Sequence, residues 1–91
     1  MAAVRLVISG RVQGVGFRLF AERQALRRGL RGWVRNRRDG TVEALLIGDE
    51  STLRDMEDAC RRGPSLAAVT RLDRFEATDD GSERFEARPT E

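Results

Sequence analysis

Between Gly10 and Gly16 the chain places three glycines in seven residues, and the hydrophobic period changes across them. Upstream, Val4, Leu6 and Ile8 alternate with Arg5, Val7 and Ser9, the period of a half-buried strand, which is expected to end near Gly10. Downstream, Phe17, Phe20, Ala21, Gln24 and Ala25 recur at helical spacing until Gly29 and Leu30 supply a stop signal. A strand that enters a helix through a glycine loop, predicted over 10–16, can turn several backbone N–H groups toward one point. The helix N-terminus adds unpaired donors and partial positive charge there, so the product is a cradle for an anion of phosphate size. The same glycines would also serve a plain turn that needs positive φ angles.

The rest of the chain alternates elements in a restrictive order. Arg31 to Arg37 reads as a second strand, with Trp33, Arg35 and Arg37 on one face and Gly32, Val34 and Asn36 on the other. Asp39-Gly40 is a hairpin turn signal, and Thr41 to Ile47 returns as a third strand. Leu53, Met56, Ala59 and Cys60 form the apolar stripe of a second helix that stops at Gly63-Pro64. Ala67 to Phe75 is a weaker fourth strand and Arg84 to Ala87 a short fifth, both with poor alternation. With no repeat or linker, residues 1–91 read as one domain. The order predicts an α+β ferredoxin-like βαββαβ sandwich, an antiparallel sheet of four to five strands with two helices on one face. Such a scaffold carries many functions, so chemistry must be read from the loop.

Composition removes several chemistries. There is no histidine and a single cysteine, Cys60, which excludes an intrachain disulfide, a His/Cys metal cluster, a histidine general base and a histidine-based nucleophilic triad. No apolar run approaches the roughly 20 residues that span a bilayer, and no basic segment followed by an apolar stretch opens the chain, so a cytoplasmic protein is expected. Residues 1–48 carry a net charge of +7 and residues 49–91 a net charge of −5. The basic half suits an anionic ligand, and two solvated surfaces would produce the same asymmetry.

The loop is neither of two familiar phosphate binders. It lacks the Lys-Ser/Thr pair of a Walker loop, and Leu19 stands at the third glycine position of a dinucleotide fingerprint. Arg18 points to an anion more directly. A cation in the first helical turn opposes the helix dipole at a cost of about 0.3 to 1 kcal/mol, a placement that makes sense with an anion between the two. Its guanidinium also matches two phosphate oxygens at once.

The segment Gly10-Arg11-Val12-Gln13-Gly14-Val15-Gly16-Phe17-Arg18 closely resembles that of acylphosphatases, which hydrolyse the carboxyl phosphate bond of acyl phosphates. So do Gly29-Leu30, Gly32-Trp33-Val34-Arg35-Asn36, Asp39-Gly40-Thr41-Val42-Glu43, Gly63-Pro64 and Ala68-Val69, in the family's order and spacing. The resemblance spans nearly the whole chain, and it implies the same ferredoxin-like sandwich. It implies further that Arg11, Val12, Gln13, Gly14, Val15, Gly16, Phe17 and Arg18 bind the phosphoryl group. In this reading Arg18 is the side-chain ligand and Asn36 orients the attacking water. Ala59, Cys60 and Ala87 are smaller than is usual at their positions in the family.

The resemblance implies a monomer with a small-molecule acyl phosphate substrate, inorganic phosphate as competitor, no metal or other cofactor, and no nucleic-acid or membrane partner. The alternative is a catalytically silent anion- or RNA-binding module. RNA-recognition sheets need stacking aromatics, whereas aromatics here are 5% and tyrosine is absent. Trp33, Phe17 and Cys60 are expected to pack. Arg11, Arg35, Arg37 and Arg38 raise the local potential or are simply solvated. Asp39 serves its turn, and Glu43 is expected to face solvent.

Overall fold

Strand β1 (Ala2–Arg11) is long and alternating, and it lies inside the sheet with neighbours on both sides. The computed structural model describes residues 1–91, in which β1 is followed by α1 (Phe17–Arg27), β2 (Arg31–Asn36) and β3 (Val42–Gly48). Helix α2 (Glu50–Arg62), β4 (Ala68–Glu76) and β5 (Phe85–Ala87) complete the chain. The sheet order is β4-β1-β3-β2-β5, which is the expected ferredoxin-like arrangement. β1 pairs antiparallel with β3 and β4, and β2 with β3, but β5 is added parallel to β2, so the five-stranded sheet is mixed. The reason is topological: β4 and β5 occupy opposite edges, and residues 77–84 cross between them before the chain runs alongside β2.

The period of two in β1 sends Val4, Leu6 and Ile8 toward the helices, where they meet Val34, Ala44 and Leu46 of the hairpin and Ala21, Ala25, Leu53, Met56 and Cys60 of the helices. The alternate hairpin positions Trp33, Leu45 and Ile47 form a smaller cluster apart from the main core, with Ala77 of the crossing segment packed on it. β3 is thereby buried at all seven positions. Glu43 does not face solvent as expected: it is 7% exposed, held by Arg5 at 3.0 Å and Arg35 at 2.8 Å. A carboxylate on an inner strand is covered by its neighbours' side chains, and two guanidinium partners offset its desolvation.

The α2 stripe is buried as its spacing predicts, and burial pushes the Cys60 thiol up to about 12. β1 runs one residue past Gly10, with a register shift against β4 between Ser9 and Gly10. Gly10 has φ 120°, and a side chain there would collide with the carbonyl oxygen of Ala68, so only glycine lets β4 approach. The connection from β1 to α1 is therefore Val12 to Gly16, shorter than the predicted loop.

Candidate active site

Val12, 1% exposed, anchors the start of this connection in the core, and Phe17, 2% exposed, anchors its end. Between them Gly14 (φ 73°) and Gly16 (φ 79°) are left-handed, with open space where a side chain would project. Backbone conformation, not crowding, requires glycine at both. Gly16 is the N-cap residue of α1 and has no side chain to cap the helix, while its carbonyl accepts the Phe20 N–H at 3.0 Å. The earlier first-turn N–H groups have no intrahelical partners, and the helix opens onto a depression of about 360 Å³.

Gly14, Gly16, Arg18, Glu22, Asn36 and Ala87 line that depression, together with Val12, Phe17 and Leu19. Arg18 and Asn36 are both half-buried, Asn36 as the last residue of β2. Three other residues of the expected phosphate loop do not line it with their side chains. Arg11 is an exposed β1 residue paired with Ala68, and Val15 packs against the core. Gln13 turns its amide to the β2–β3 hairpin, donating to the carbonyls of Arg37 at 2.7 Å and Thr41 at 2.9 Å. That bond pair fixes the loop relative to the strand that carries Asn36. The hairpin itself is closed by Asp39, which accepts from the Thr41 hydroxyl and N–H; these hold its carboxyl below the usual range.

The C-terminal segment is a wall of the site that residue patterns did not indicate. Arg18 donates through Nη1 to the Arg88 carbonyl at 3.0 Å, and the Arg88 N–H donates to the Val34 carbonyl at 2.8 Å. Glu91 donates its N–H to the Asn36 carbonyl at 3.0 Å, and its carboxylate binds Arg35 at 2.6 Å. Glu22, one turn on from Arg18, accepts the Ala87 N–H at 3.2 Å. The Arg18 side chain and the Asn36 backbone are thus held through one strap. Sequence carried no signal for it, because all its contacts but the Arg35–Glu91 ion pair use a backbone atom.

On the face of the sheet away from the helices both aromatic rings carry guanidinium groups, and Phe75, 44% exposed, has Arg5 at 4.6 Å from its centroid. Trp33 is covered by the guanidinium groups of Arg35 and Arg88, at 4.5 and 5.2 Å from the ring centroid, and its indole N–H donates to Asp80 at 3.2 Å. No helix is long and apolar enough to cross a membrane.

The sequence matches the family model described as Acylphosphatase over residues 4–87. The chain belongs to the acylphosphatase family. It is 48% identical over 92 residues to an acylphosphatase of Rhodopseudomonas palustris strain BisB18, covering 94% of this chain and 93% of that one. An acylphosphatase of Acidiphilium cryptum is 57% identical over 70 residues, 77% of each chain. The crystal structure of acylphosphatase from Bacillus subtilis superposes with a TM-score of 0.93 at 40% identity, covering 97% of this chain and 99% of that one. Acylphosphatases are hydrolases acting on acid anhydrides, and a small-molecule acyl phosphate is the substrate this membership assigns.

Proposed function

We propose that residues 1–91 act as one domain that hydrolyses acyl phosphates without a metal, with Arg18 and the Val12 to Phe17 backbone holding the phosphoryl group and Asn36 holding the attacking water. The observation that carries this reading is the convergence of Arg18, the open first turn of α1 and Asn36 on one depression. An acyl phosphate is a mixed anhydride whose leaving group is a weakly basic carboxylate, so departure needs little help from a protein acid. Catalysis then rests on position and charge. The guanidinium and backbone N–H groups balance the phosphoryl oxygens, and water is aligned in line with the bond that breaks. Water oxygen bonds to phosphorus as the P–O bond to the acyl group breaks. The electron pair leaves on the carboxylate, and the proton of the water passes to a phosphoryl oxygen of the substrate. No side chain forms a covalent intermediate.

Inorganic phosphate, a product with the same oxygens, competes for the cradle. The protein works as a cytoplasmic monomer with no nucleic-acid or membrane partner. The purified protein is expected to hydrolyse benzoyl phosphate after exhaustive chelation, with phosphate as competitive inhibitor. Turnover abolished by EDTA and restored by magnesium would show the metal-free mechanism to be wrong.

A further inference from the structure

The phosphate depression adjoins a second one, of about 270 Å³, bounded by Phe20, Arg23, Gln24, Arg27 and Pro64. Gly16 and Leu19 border both, whereas Asn36 and Ala87 border only the first. Leu19, Arg23 and Arg27 are spaced four residues apart and share one face of α1, about 6 Å of helix axis separating each from the next. Arg23 and Arg27 are exposed, and neither has a carboxylate within ion-pair distance, although Arg28 beside them is matched by Asp55 at 2.8 Å. At four residues apart two like charges repel, so the pair leaves a positive potential over the groove that nothing in the chain balances.

This inference rests on the proposed water site at Asn36. In-line displacement sends the leaving group away from the attacking water. The second depression shares the Gly16 and Leu19 rim and is not bordered by Asn36, so it offers room for a group that leaves on the side away from Asn36. We propose that this depression receives the acyl group, and that Arg23 and Arg27 select acyl phosphates whose acyl chain ends in a second anion a few bonds from the anhydride. Leu19, 51% exposed, supplies apolar contact for the intervening carbons. The distal anion is a carboxylate or a phosphate monoester, and guanidinium groups take either.

The test compares kcat/KM for succinyl phosphate with that for butyryl phosphate, an uncharged chain of the same length. A parallel arm uses an acyl phosphate ending in a phosphate monoester. In Arg23→Gln/Arg27→Gln the ratio of charged to uncharged substrate should fall roughly 5- to 20-fold in one or both arms, mostly through KM. The arm with the larger fall identifies the preferred anion. Arg38→Gln/Arg84→Gln removes the same two charges from exposed positions outside the groove, and the ratio should then move less than about twofold. An unchanged ratio in the groove variant in both arms overturns the proposal, as does an equal fall in the off-groove variant, which would mean a general field. Wild-type protein that hydrolyses butyryl phosphate while the ratio fails to respond sinks only the subsite. Protein inactive on every acyl phosphate sinks the proposed mechanism with it.

Discussion

At the scale of single residues, the distinction that matters is between a charge and a fork. Arg18→Lys keeps a positive charge at the α1 N-terminus and discards the planar pair of donors. If one strong charge-assisted hydrogen bond to the phosphoryl group is lost, catalytic efficiency falls by about 10- to 150-fold, or 1.5 to 3 kcal/mol. Undiminished efficiency in steady-state kinetics would refute the clamp. The same guanidinium also ties down the Arg88 carbonyl, so the substitution loosens the strap as well, which the motif gave no reason to expect. Asn36→Ala separates the two roles. Its backbone carbonyl still receives Glu91, while the amide that faces the depression is gone. Turnover should fall roughly 100-fold with phosphate inhibition changed far less, and near wild-type turnover would remove Asn36 from the mechanism. Gly14, Gly16 and Arg18 stood out because a glycine turn into a helix with a guanidinium in its first turn suits an anion, and Asn36 only through the family resemblance; all four border one depression. Glu43 was misplaced, because a long polar side chain can face solvent or a neighbouring guanidinium from the same position.

Among the elements, β1, α1 and α2 were readable because each buries one face and its period records that face, and the hairpin, with β3 buried on both faces, was readable from the Asp39-Gly40 turn between its strands. β4 was the harder strand. As a sheet edge it is exposed at six of its nine positions and fully buried at none, and its burial does not alternate. β5, three residues long, has no period to read, and its direction follows from the crossing of residues 77–84. That short strand and the residues after it hold the site together out of proportion to their length. Removing residues 88–91 deletes the acceptor for Arg18, the bond to Val34, the Glu91 bond to Asn36 and the ion pair with Arg35. The truncated protein should keep its far-UV circular dichroism and lose roughly 10- to 100-fold in kcat, since small misplacements of positioned groups are costly. Wild-type kcat in the shortened chain would show that the strap covers the site without organising it.

For the molecule as a whole, the charge asymmetry along the chain resolves partly into its own closure. Arg28, Arg31 and Arg35 from the basic half pair with Asp55, Asp79 and Glu91 from the acidic half. Several acids are held below their usual range by close partners: Asp79 by the Arg31 guanidinium, Glu50 by Arg74, and Asp80 by the Ser82 hydroxyl. Their stabilisation is present at neutral pH and is lost as pH falls through their folded values. Glu57 has the opposite sign. It is 7% exposed on α2, its Oε2 lacks a hydrogen-bond partner, and burial pushes its carboxyl up despite Arg74 at 3.2 Å. Folded Glu57 holds its proton more tightly than the unfolded chain does, so its contribution worsens as pH rises from the usual carboxylate value through the raised one. Glu57→Gln removes that penalty and leaves Arg74 with Glu50 at 2.7 Å. The variant should melt higher than wild type at pH 7 and converge with it below about pH 4. A variant that melts lower at pH 7 would mean that the Arg74 contact outweighs desolvation.

The same edge position that deprived β4 of a legible pattern also leaves one side of it open to other chains. A nine-residue strand with one free side is a template on which a second chain could lay its own backbone. Along it Arg71, Asp73, Arg74 and Glu76 replace the alternating aliphatics that would make such a template adhesive. The opposite edge is only three residues long. The molecule thus has one long border and fills it with charges of both signs. The strand with the least regular burial is thus the one whose charges oppose edge-to-edge pairing between copies.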